Sequence, residues 1–305
     1  MRKEECSDML LTVFTPAYNR AHTLGRTYNS LCKQSCKDFC WMIIDDGSTD
    51  NTAELVKEWT AEKDNGFRIF YYYKENGGLH TAYNTAIAHL QTELAVCIDS
   101  DDFMPENAIE LIKDKWESEG SDQYAGILGL DYDINGNLIC DLLPDKKEIN
   151  LIDLNLGKEK IVGGDKKEVI RSDLYKSVAP MKSFPGEKNF NPFYMILEIS
   201  RHYNFLILNK PLCIVEYQPE GMTAGIFKQY YNSPNSFLEL RKQLFTFNDV
   251  PFTRKVRNMI HLVSSSILAH KYFQELLYSK YPFLMLLCSV PGIALCMLTV
   301  IKGRK

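Results

Sequence analysis

Short apolar runs alternate with segments of helical periodicity over the first hundred residues. Apolar runs at Leu10–Thr15, Trp41–Asp45, Arg68–Tyr73 and Leu94–Ile98 predict four β-strands. The segments between and after them predict helices at residues 24–31, 51–59, 80–90 and 105–117. Strands that alternate with helices are typical of βαβ units and of a parallel sheet. The pattern therefore predicts an α/β domain.

The alternation weakens after Tyr124, which indicates that the sheet becomes mixed. Apolar stretches at Tyr124–Tyr132 and Leu138–Leu142 predict a hairpin about Asn135-Gly136-Asn137. The later elements are predicted as a helix at 193–202, strands at 205–208 and 212–217, and a mostly helical stretch at 236–279. We therefore expect an α/β domain at residues 1–235, with a parallel-to-mixed central sheet flanked by helices, and a C-terminal helical region at residues 236–305.

The C-terminal region contains a long uncharged run. Phe283–Ile301 holds 19 residues without a charge and is followed by Lys302-Gly303-Arg304-Lys305. This length is enough for a membrane helix, but Pro291-Gly292 interrupts the run, and basic residues flank it on both sides, which disfavours a span. We expect a broken helix or helix pair that lies on or dips into one leaflet, with both ends cytoplasmic. A buried core helix is the alternative.

Composition and charge fit a globular protein that does not depend on nucleic acid. The chain has 305 residues, of which 45% are hydrophobic, and a formal net charge of −4. Binding to nucleic-acid phosphates needs a basic surface that releases counterions, so this charge disfavours a nucleic-acid partner. The nine cysteines include no CxxC pair, and the N-terminus has no apolar signal-peptide core. We expect free thiols in a cytoplasmic compartment.

Polar or acidic clusters follow three of the predicted strands. They are residues 15–20 (Thr-Pro-Ala-Tyr-Asn-Arg), 45–48 (Asp-Asp-Gly-Ser) and 99–102 (Asp-Ser-Asp-Asp). Ligands of an open parallel sheet bind outside the carboxyl ends of its strands, so we expect the clusters to line one crevice. Converging aspartates lose their charge unless a cation offsets it. Oxygen ligands without nearby His or Cys favour Mg²⁺ or Mn²⁺, whose shell is completed by substrate phosphates.

The absence of other phosphate-binding motifs narrows the class of ligand. Neither GxGxxG nor GxxxxGK[ST] occurs, which disfavours a dinucleotide-dependent dehydrogenase and a P-loop NTPase. What remains is a nucleotide whose diphosphate is held by a metal ion on acidic residues. In sugar transfer the diphosphate is the leaving group, and the ion offsets the charge that develops on it.

Four groups of residues together resemble the family 2 glycosyltransferases, which have the nucleotide-binding GT-A fold. They are Thr15-Pro16-Ala17-Tyr18-Asn19, Asp45-Asp46-Gly47-Ser48-Thr49-Asp50, Asn76-Gly77-Gly78 with Ala82 and Asn84, and Asp99-Ser100-Asp101-Asp102 with Pro105. A looser likeness extends through Gly186-Glu187-Lys188 to Glu216-Tyr217 and Gly221-Met222-Thr223. The resemblance implies an inverting enzyme of the bacterial surface-polysaccharide type, which moves a sugar from a UDP-sugar to a hydroxyl of a glycan or polyprenyl-linked glycan.

The resemblance also implies roles for single residues. Asp46 resembles the aspartate that accepts a hydrogen bond from the uracil ring, and Asp101 resembles the metal-binding aspartate of the DxD motif. Asp102 would share the metal or orient the sugar, and Asp99 would lie near the ribose or sugar. The other donor-binding residues implied by the resemblance are Thr15, Pro16, Tyr18, Asn19, Gly77, Gly78, His80, Asn84 and Ser100.

Glu187 is the expected catalytic base. Direct displacement with inversion needs a base on the side opposite the leaving group. Many family members carry a Glu-Asp pair before the helix that faces the acceptor, whereas this chain has Glu187-Lys188. Glu198 and Asp165 are the other candidates.

Structural explanations and other functions stay open at this point. Asp45 and Asp46 suit a strand-to-helix turn, and His80 at the start of a helix suits a structural hydrogen bond. A nucleotidyltransferase shares the metal-bound diphosphate chemistry, although residues 15–20 lack the glycines of its phosphate loop. A non-catalytic membrane module that binds nucleotide is the other alternative. The apolar segment predicts a peripheral or monotopic protein at the cytoplasmic face of the cell membrane.

Overall fold

The computed structural model describes residues 6–62, 65–159, 164–216 and 225–304. The strands are β1 (Leu11–Ala17), β2 (Phe39–Asp45), β3 (Arg68–Tyr73), β4 (Leu94–Cys97), β5 (Tyr124–Asp133), β6 (Glu148–Ile149), β7 (Lys166–Arg171) and β8 (Asn204–Val215). The helices are α1 (Leu24–Cys32), α2 (Thr52–Ala61), α3 (Leu79–His89), α4 (Ala108–Glu119), α5 (Leu151–Leu156), α6 (Ser172–Val178), α7 (Phe193–Ile199), α8 (Ile226–Asn232), α9 (Pro234–Leu244), α10 (Phe252–Leu268), α11 (Tyr272–Tyr278), α12 (Pro282–Leu287) and α13 (Ser289–Gly303). Tyr217, Gly221, Met222 and Thr223, which belong to the looser resemblance, lie outside the described residues.

The strands form one mixed sheet in the order β3-β2-β1-β4-β7-β5-β8-β6. β1 pairs in parallel with β2 and β4, and β2 pairs in parallel with β3. β7 then runs antiparallel to both β4 and β5, while β8 is parallel to β5 and antiparallel to β6. The predicted α/β architecture with a parallel-to-mixed sheet is confirmed.

Two details of the later sheet differ from the prediction. The expected hairpin is reduced to one isolated bridge, in which Tyr132 pairs with Leu138. The two strands expected at 205–208 and 212–217 form the single strand β8, which shifts its register along β5. β7 was not predicted because four of the six residues in Lys166–Arg171 are charged, which hides a strand from an apolar-pattern search.

The core around β1 and β2 explains why the first part of the chain is easy to predict. Every residue of both strands is buried, as expected for parallel strands that are covered on both faces. Tyr28 on α1 stacks on Trp59 of α2, with ring centroids 4.3 Å apart, and Trp41 of β2 lies beside them. Burial of each such side chain stabilises the fold by roughly 1.5–3 kcal/mol.

The chain divides into two compact units. Unit 1 comprises Met1–Gly77, Thr81–Pro180 and Met195–Glu216, and unit 2 comprises Gly78–His80, Met181–Tyr194 and Tyr217–Lys305. The sequence of unit 2 contains 13 Lys and Arg and 5 Asp and Glu, a net charge of +8, and the remaining 22 and 34 give unit 1 a net charge of −12. The expected boundary at residues 235 and 236 falls inside α9, so it does not follow this division.

The C-terminal apolar run forms two helices instead of one. α12 ends at Leu287 and α13 begins at Ser289, so the break lies at Cys288 and Pro291 falls in the first turn of α13. Within the described part of the chain, no helix combines the length and hydrophobicity that a bilayer crossing requires. The expected helix pair is therefore present, and its relation to a membrane stays a prediction.

One pair of cysteines departs from the expected free thiols. Cys6 and Cys40 form a disulfide across 34 residues of sequence, with their Cα atoms 6.5 Å apart. Cys32 and Cys36 are free, which agrees with their interpretation as packed thiols. The prediction that all nine thiols are free was wrong for Cys6 and Cys40, because a single long-range pair carries no spacing signal.

Candidate active site

The loops that carry the three polar clusters leave the same edge of the sheet in unit 1. β1 pairs in parallel with β2, where Ala17 lies opposite Asp45, and with β4, where Phe14 lies opposite Cys97. Because the three strands run in the same direction, their following loops meet at one edge. The Asp46 N–H donates to the Ala17 carbonyl oxygen at 2.8 Å. The strand order therefore brings the clusters together as the sequence suggested.

The first cluster has a buried half and an exposed half. Thr15 is fully buried, and its Oγ1 accepts a hydrogen bond from Trp41 Nε1 at 3.0 Å. Pro16 is also buried within β1. Tyr18, in contrast, is 48% exposed. The burial of Thr15 and Pro16 does not support the donor contact expected of them, whereas Tyr18 is open to a ligand.

Asn19 and Asp45 connect and brace the first two loops. Asn19 has a positive φ of 54°, and its Oδ1 accepts a hydrogen bond from the Thr49 N–H at 2.8 Å. Its own N–H donates to Ser48 Oγ at 2.8 Å. Asp45 is fully buried, and its carboxylate accepts from the Ser48 N–H at 2.7 Å and from the Tyr71 hydroxyl at 2.6 Å. Asp45 therefore has the structural role that its position in a turn suggested.

Asp46 links the second loop to the turn before α3. Its buried carboxylate forms an ion pair with Lys74 and accepts a hydrogen bond from the Gly77 N–H at 3.0 Å. A Cβ atom at Gly77 would lie 2.7 Å from Thr81 Oγ1, so a larger residue there would displace the Thr81 side chain. Asn84, one turn further along α3, is half-buried. The uracil contact expected of Asp46 stays a prediction.

The next two candidates, Gly78 and His80, belong to unit 2 and have structural surroundings. Gly78 has a φ of +93°, and a Cβ atom there would lie 1.8 Å from the Lys188 carbonyl oxygen. The close backbone approach at Gly78 is therefore to the chain itself. His80 is 1% exposed, and its Nε2 lies 3.1 Å from Ser183 Oγ. This burial favours the structural explanation for His80 over contact with a sugar donor.

Two residues of helix α1 hold the backbone of the third loop, Asp99–Asp102. Arg26 Nη2 donates to the Asp101 carbonyl oxygen at 3.0 Å, and the same guanidinium forms an ion pair with Glu216. Thr27 Oγ1 donates to the Asp102 carbonyl oxygen at 2.7 Å. These contacts fix the loop through its backbone and leave the aspartate carboxylates available for a ligand.

The third loop lies in an excess of negative charge. Asp102 and Asp131 are buried, and burial raises the pKa of Asp102 to about 8 and that of Asp131 to about 6. Ser100 between the aspartates is buried, but the Asp99 side chain is exposed. Its pKa is nevertheless raised, first by desolvation and then by the charges of Asp101 and Asp165, while Lys167 lowers it. Burial alone would lower the pKa of Lys167, but the carboxylates around it raise that pKa well above its usual value.

Asp131 and Lys167, whose charges act on this loop, and the neighbouring Glu168 were not predicted from the sequence. The pKa of Glu168 is raised to about 7, first by burial and then by its charged neighbours. One signal was available: Asp131 follows the apolar run of β5, where a charge is costly unless it has a purpose. Lys167 and Glu168 lie on β7, so their proximity to the aspartates depends on an antiparallel pairing that the pattern did not reveal.

The residues around the third loop suit a hard divalent cation. Among the described residues there is no group of three or more His, Cys, Asp or Glu side chains that could hold a metal ion. A site that binds Mg²⁺ together with a nucleotide needs only one or two carboxylates, because phosphates and water complete the shell. Asp131 Oδ1 is buried and accepts no hydrogen bond from any residue that the structure describes. The raised pKa values and this oxygen are consistent with a place for added positive charge.

Glu187, the expected base, caps a helix. Its Oε1 accepts from the backbone N–H and from Nδ2 of Asn235, each at 2.8 Å. Its Oε2 accepts from the Ser236 N–H at 2.8 Å and from Ser236 Oγ at 2.7 Å. Both residues lie in the first turn of α9, whose free N–H groups a carboxylate satisfies. This arrangement does not support the base role expected of Glu187.

The two other base candidates differ in their surroundings. Glu198 forms a two-point ion pair with Arg201, at 2.7 and 3.0 Å, so its oxygens are engaged on the helix surface. Asp165 is exposed, and its charge contributes to the raised pKa values of Asp99 and Asp131. Asp165 is therefore the candidate that the fold brings to the acidic cluster.

Comparison with known proteins agrees with this geometry. Residues 12–138 match the model of the family described as Glycosyl transferase family 2. The chain is 33% identical over 108 residues to the glycosyltransferase GlyA of Streptococcus pneumoniae serotype 4, covering 35% of this chain and 15% of GlyA. It is 32% identical over 132 residues to a chondroitin synthase of Escherichia coli, covering 43% of this chain and 19% of the synthase. The chain thus spans less than a fifth of the length of either relative.

Solved structures share the fold over nearly the whole chain. S. aureus TarS 1-349 in complex with UDP-GlcNAc has a TM-score of 0.61 at 16% identity and covers 97% of this chain and 88% of that one. The mannosyltransferase PcManGT from Pyrobaculum calidifontis, in complex with GDP-Man and Mn²⁺, has a TM-score of 0.57 at 15% identity and covers 98% and 87%. At this identity the likeness establishes the fold alone. It agrees with the family match over residues 12–138, which covers less than half of the 305-residue chain.

Proposed function

We propose that the protein transfers a sugar from a UDP-sugar to a hydroxyl group of a glycan or lipid-linked glycan, with inversion of the anomeric carbon and with Mg²⁺ or Mn²⁺. The observation that carries this proposal is the loop Asp99–Asp102, which lies at the carboxyl edge of parallel strands among further carboxylates. Its position within the family 2 domain supports sugar transfer. The UDP-GlcNAc in TarS and the GDP-Man with Mn²⁺ in PcManGT support a nucleotide-sugar donor and a divalent ion.

Asp101 and Asp102 are the residues that would hold the ion. Bound there, the ion would offset the charge on the departing diphosphate. The backbone of both residues is held by Arg26 and Thr27, so their carboxylates need little rearrangement. Lys167 opposes the effect of burial, because its charge lowers the pKa values of Asp99 and Asp102 that burial raises. Tyr18, exposed at the first loop, would stack on the nucleobase.

Asp165 would serve as the base in place of Glu187. A general base needs a lone pair that can reach the acceptor hydroxyl. Each Glu187 oxygen already accepts two hydrogen bonds, whereas Asp165 is exposed and is electrostatically coupled to Asp99. Asp165→Asn should lower the rate of transfer to an acceptor more strongly than it lowers slow hydrolysis of the donor.

The decisive experiment measures release of UDP. Purified protein is incubated with Mn²⁺, a panel of UDP-sugars and GDP-mannose, with and without a polyprenyl-linked glycan acceptor. We expect UDP release from one donor, and we expect Asp101→Asn to reduce it by about 10²-fold or more. Asp114→Asn, at an exposed position on α4, is the matched control and should keep wild-type turnover.

Other outcomes would replace the proposal. Release of pyrophosphate from a nucleoside triphosphate and a sugar phosphate would identify a nucleotidyltransferase. Binding of UDP without turnover of any donor would identify a non-catalytic module. Full activity of Asp101→Asn would remove the metal role from that residue.

A further inference from the structure

Three C-terminal helices of unit 2 expose large apolar side chains to solvent. Phe273 and Leu277 on α11 are 77% and 81% exposed, Phe283 and Leu287 on α12 are 81% and 78% exposed, and Val290 and Met297 on α13 are 77% and 61% exposed. These six residues define the apolar face. A soluble monomer rarely exposes a large contiguous apolar patch unless the patch binds a partner.

The helices are anchored from the other side, so the apolar face has a defined direction. Gly292, Cys296, Thr299 and Gly303 are buried on α13. A Cβ atom at Gly292 would lie 2.4 Å from a Val263 side-chain carbon, which shows how closely α13 packs on α10. Met285 of α12 and Cys288 belong to the same buried cluster. The buried side of α12 and α13 packs on the rest of unit 2. The exposed side of these helices therefore points away from the rest of that unit.

The three helices form one surface. α11 contacts α12, and α12 contacts α13. The Tyr272 hydroxyl at the start of α11 lies 2.6 Å from Ser289 Oγ at the start of α13. Along α13, Val290 and Met297 are two turns apart, so they lie on the same side of the helix. The helices that carry the apolar face therefore pack next to one another.

Basic residues surround this surface. Residues 251–305 contain eight Lys and Arg but one acidic residue, Glu275, a net charge of +7 in a chain with a net charge of −4. Lys280 lies between α11 and α12, and Lys302 lies in the last turn of α13; both are exposed. Long basic side chains at the ends of an apolar helix can extend to headgroups while their stems stay on apolar surface. The charge complements an anionic surface.

We propose that the apolar face binds a bilayer with anionic headgroups, with α11, α12 and α13 lying in the interface. No helix in the described ranges is long and apolar enough to cross a membrane. The 15 residues of α13 extend about 22 Å, against roughly 30 Å of hydrocarbon. The pattern of an apolar side, a basic border and an anchored inner side is that of a monotopic attachment.

A second copy of the chain is a poorer occupant of the apolar face, because it would bring the same positive charge into a two-fold contact. This proposal does not depend on the sugar-transfer reaction.

Vesicle flotation tests the proposal with the full chain. Wild-type protein is mixed with vesicles of phosphatidylcholine alone or of phosphatidylcholine with phosphatidylglycerol. We expect binding to the anionic vesicles that weakens as salt is added. The double variant Leu287→Glu with Val290→Glu should bind the anionic vesicles more weakly by a factor of about ten or more, since it places charges into the interface. Leu142→Glu, at a 59% exposed position of unit 1, is the matched control and should bind like wild type.

Two measurements keep the outcome unambiguous. Circular dichroism establishes that the double variant is folded, and Lys280→Gln with Lys302→Gln supplies a second variant, which should reduce binding to anionic vesicles. Light scattering of the vesicle-free protein tests for self-association. The proposal is overturned if wild type does not float with anionic vesicles or if the double variant binds them unchanged. It is also overturned if wild type is a dimer that the double variant converts to a monomer, without vesicle binding by either.

Discussion

Buried carboxylates in the two units have opposite environments. In unit 1, burial raises the pKa of Asp102 to about 8, and a buried oxygen of Asp131 accepts no hydrogen bond within the described structure. In unit 2, the buried Glu187 accepts four hydrogen bonds from the first turn of α9. One buried carboxylate oxygen of Asp131 in unit 1 therefore lacks a hydrogen-bond donor among the described residues, whereas both oxygens of Glu187 in unit 2 have donors.

The difference separates a candidate site from a structural element. A structural acid is stable when donors satisfy its oxygens, as the helix end does for Glu187. A carboxylate that binds a ligand must have an oxygen that is not already hydrogen-bonded to the protein. Such an oxygen lowers the stability of the fold while the ligand is absent. Hydrogen-bond satisfaction thus distinguishes Asp131 from Glu187 better than residue type or sequence context does.

The largest effect is expected when Lys167, whose charge acts on Asp99, Asp102 and Asp131, is removed. Lys167→Met should reduce the free energy of unfolding by about 3 kcal/mol at pH 8 in metal-free buffer, because it leaves buried carboxylates without a counter-charge. The loss should shrink toward pH 5, since Asp102, with a pKa of about 8, and Asp131, with a pKa of about 6, are then mostly protonated. Urea unfolding at both pH values measures the difference.

Lys166→Met is the control for this substitution. Lys166 is the neighbour of Lys167 on β7, and its Nζ donates to the Gly164 carbonyl oxygen at 3.0 Å. We expect a small loss of stability that depends less on pH, because the charge of Lys166 acts on Asp131 and is not among the main charges that act on Asp102. Equal losses for the two variants, or a Lys167→Met loss that is the same at pH 5 and pH 8, would contradict the role assigned to the carboxylates.

A smaller effect is expected from Glu187→Gln in unit 2. The amide would present an NH₂ group to N–H and O–H donors, so the cap of α9 should weaken by about 1–2 kcal/mol. If capping is the role of Glu187, UDP release per folded molecule should stay within a few-fold of wild type. Thermal unfolding and the UDP assay measure the two quantities.

Ser236→Ala removes one of the four donors and serves as a companion variant. It should lower stability in the same direction as Glu187→Gln, by a smaller amount. A Glu187→Gln protein with wild-type stability and turnover reduced by several orders of magnitude would restore Glu187 as the base.

The smallest effect concerns pH in unit 2, where burial lowers a pKa instead of raising one. Burial, helped by the charges of Arg241 and Arg257, lowers the pKa of His261 to about 4. The neutral ring therefore contributes stability that is complete above about pH 6.5, the unfolded pKa, and is lost as the pH falls toward 4. The difference in melting temperature between wild type and His261→Gln should shrink over that interval. A constant difference would refute this, and His22→Gln, at an exposed histidine, is the control.

Much of the N-terminal architecture was predictable because its signals are local. The apolar runs of β1, β2 and β4 and the helical spacing between them are short-range patterns, and the rule for parallel sheets then brings the following loops to one edge. The Asp99–Asp102 cluster could be predicted for the same reason. β7 escaped prediction because Lys166–Arg171 is mostly charged, and its place in the sheet depends on antiparallel neighbours on both sides.

The sequence by itself determined the α/β class, the order of the first elements, the loops that carry the aspartates, and an interruption of the C-terminal apolar run, which the structure places at Cys288 instead of Pro291-Gly292. Only the tertiary structure decided that Thr15 is buried against Trp41, that Gly78 approaches Lys188, that Glu187 caps α9, and that Lys167 lies among the aspartates. Apolar periodicity depends on residues that are close together in the sequence. The hydrogen-bond partner of a polar atom, in contrast, often comes from a residue far away in the chain. The role of each carboxylate therefore depends on which hydrogen-bond donors the folded chain places beside it, and the sequence does not show those donors.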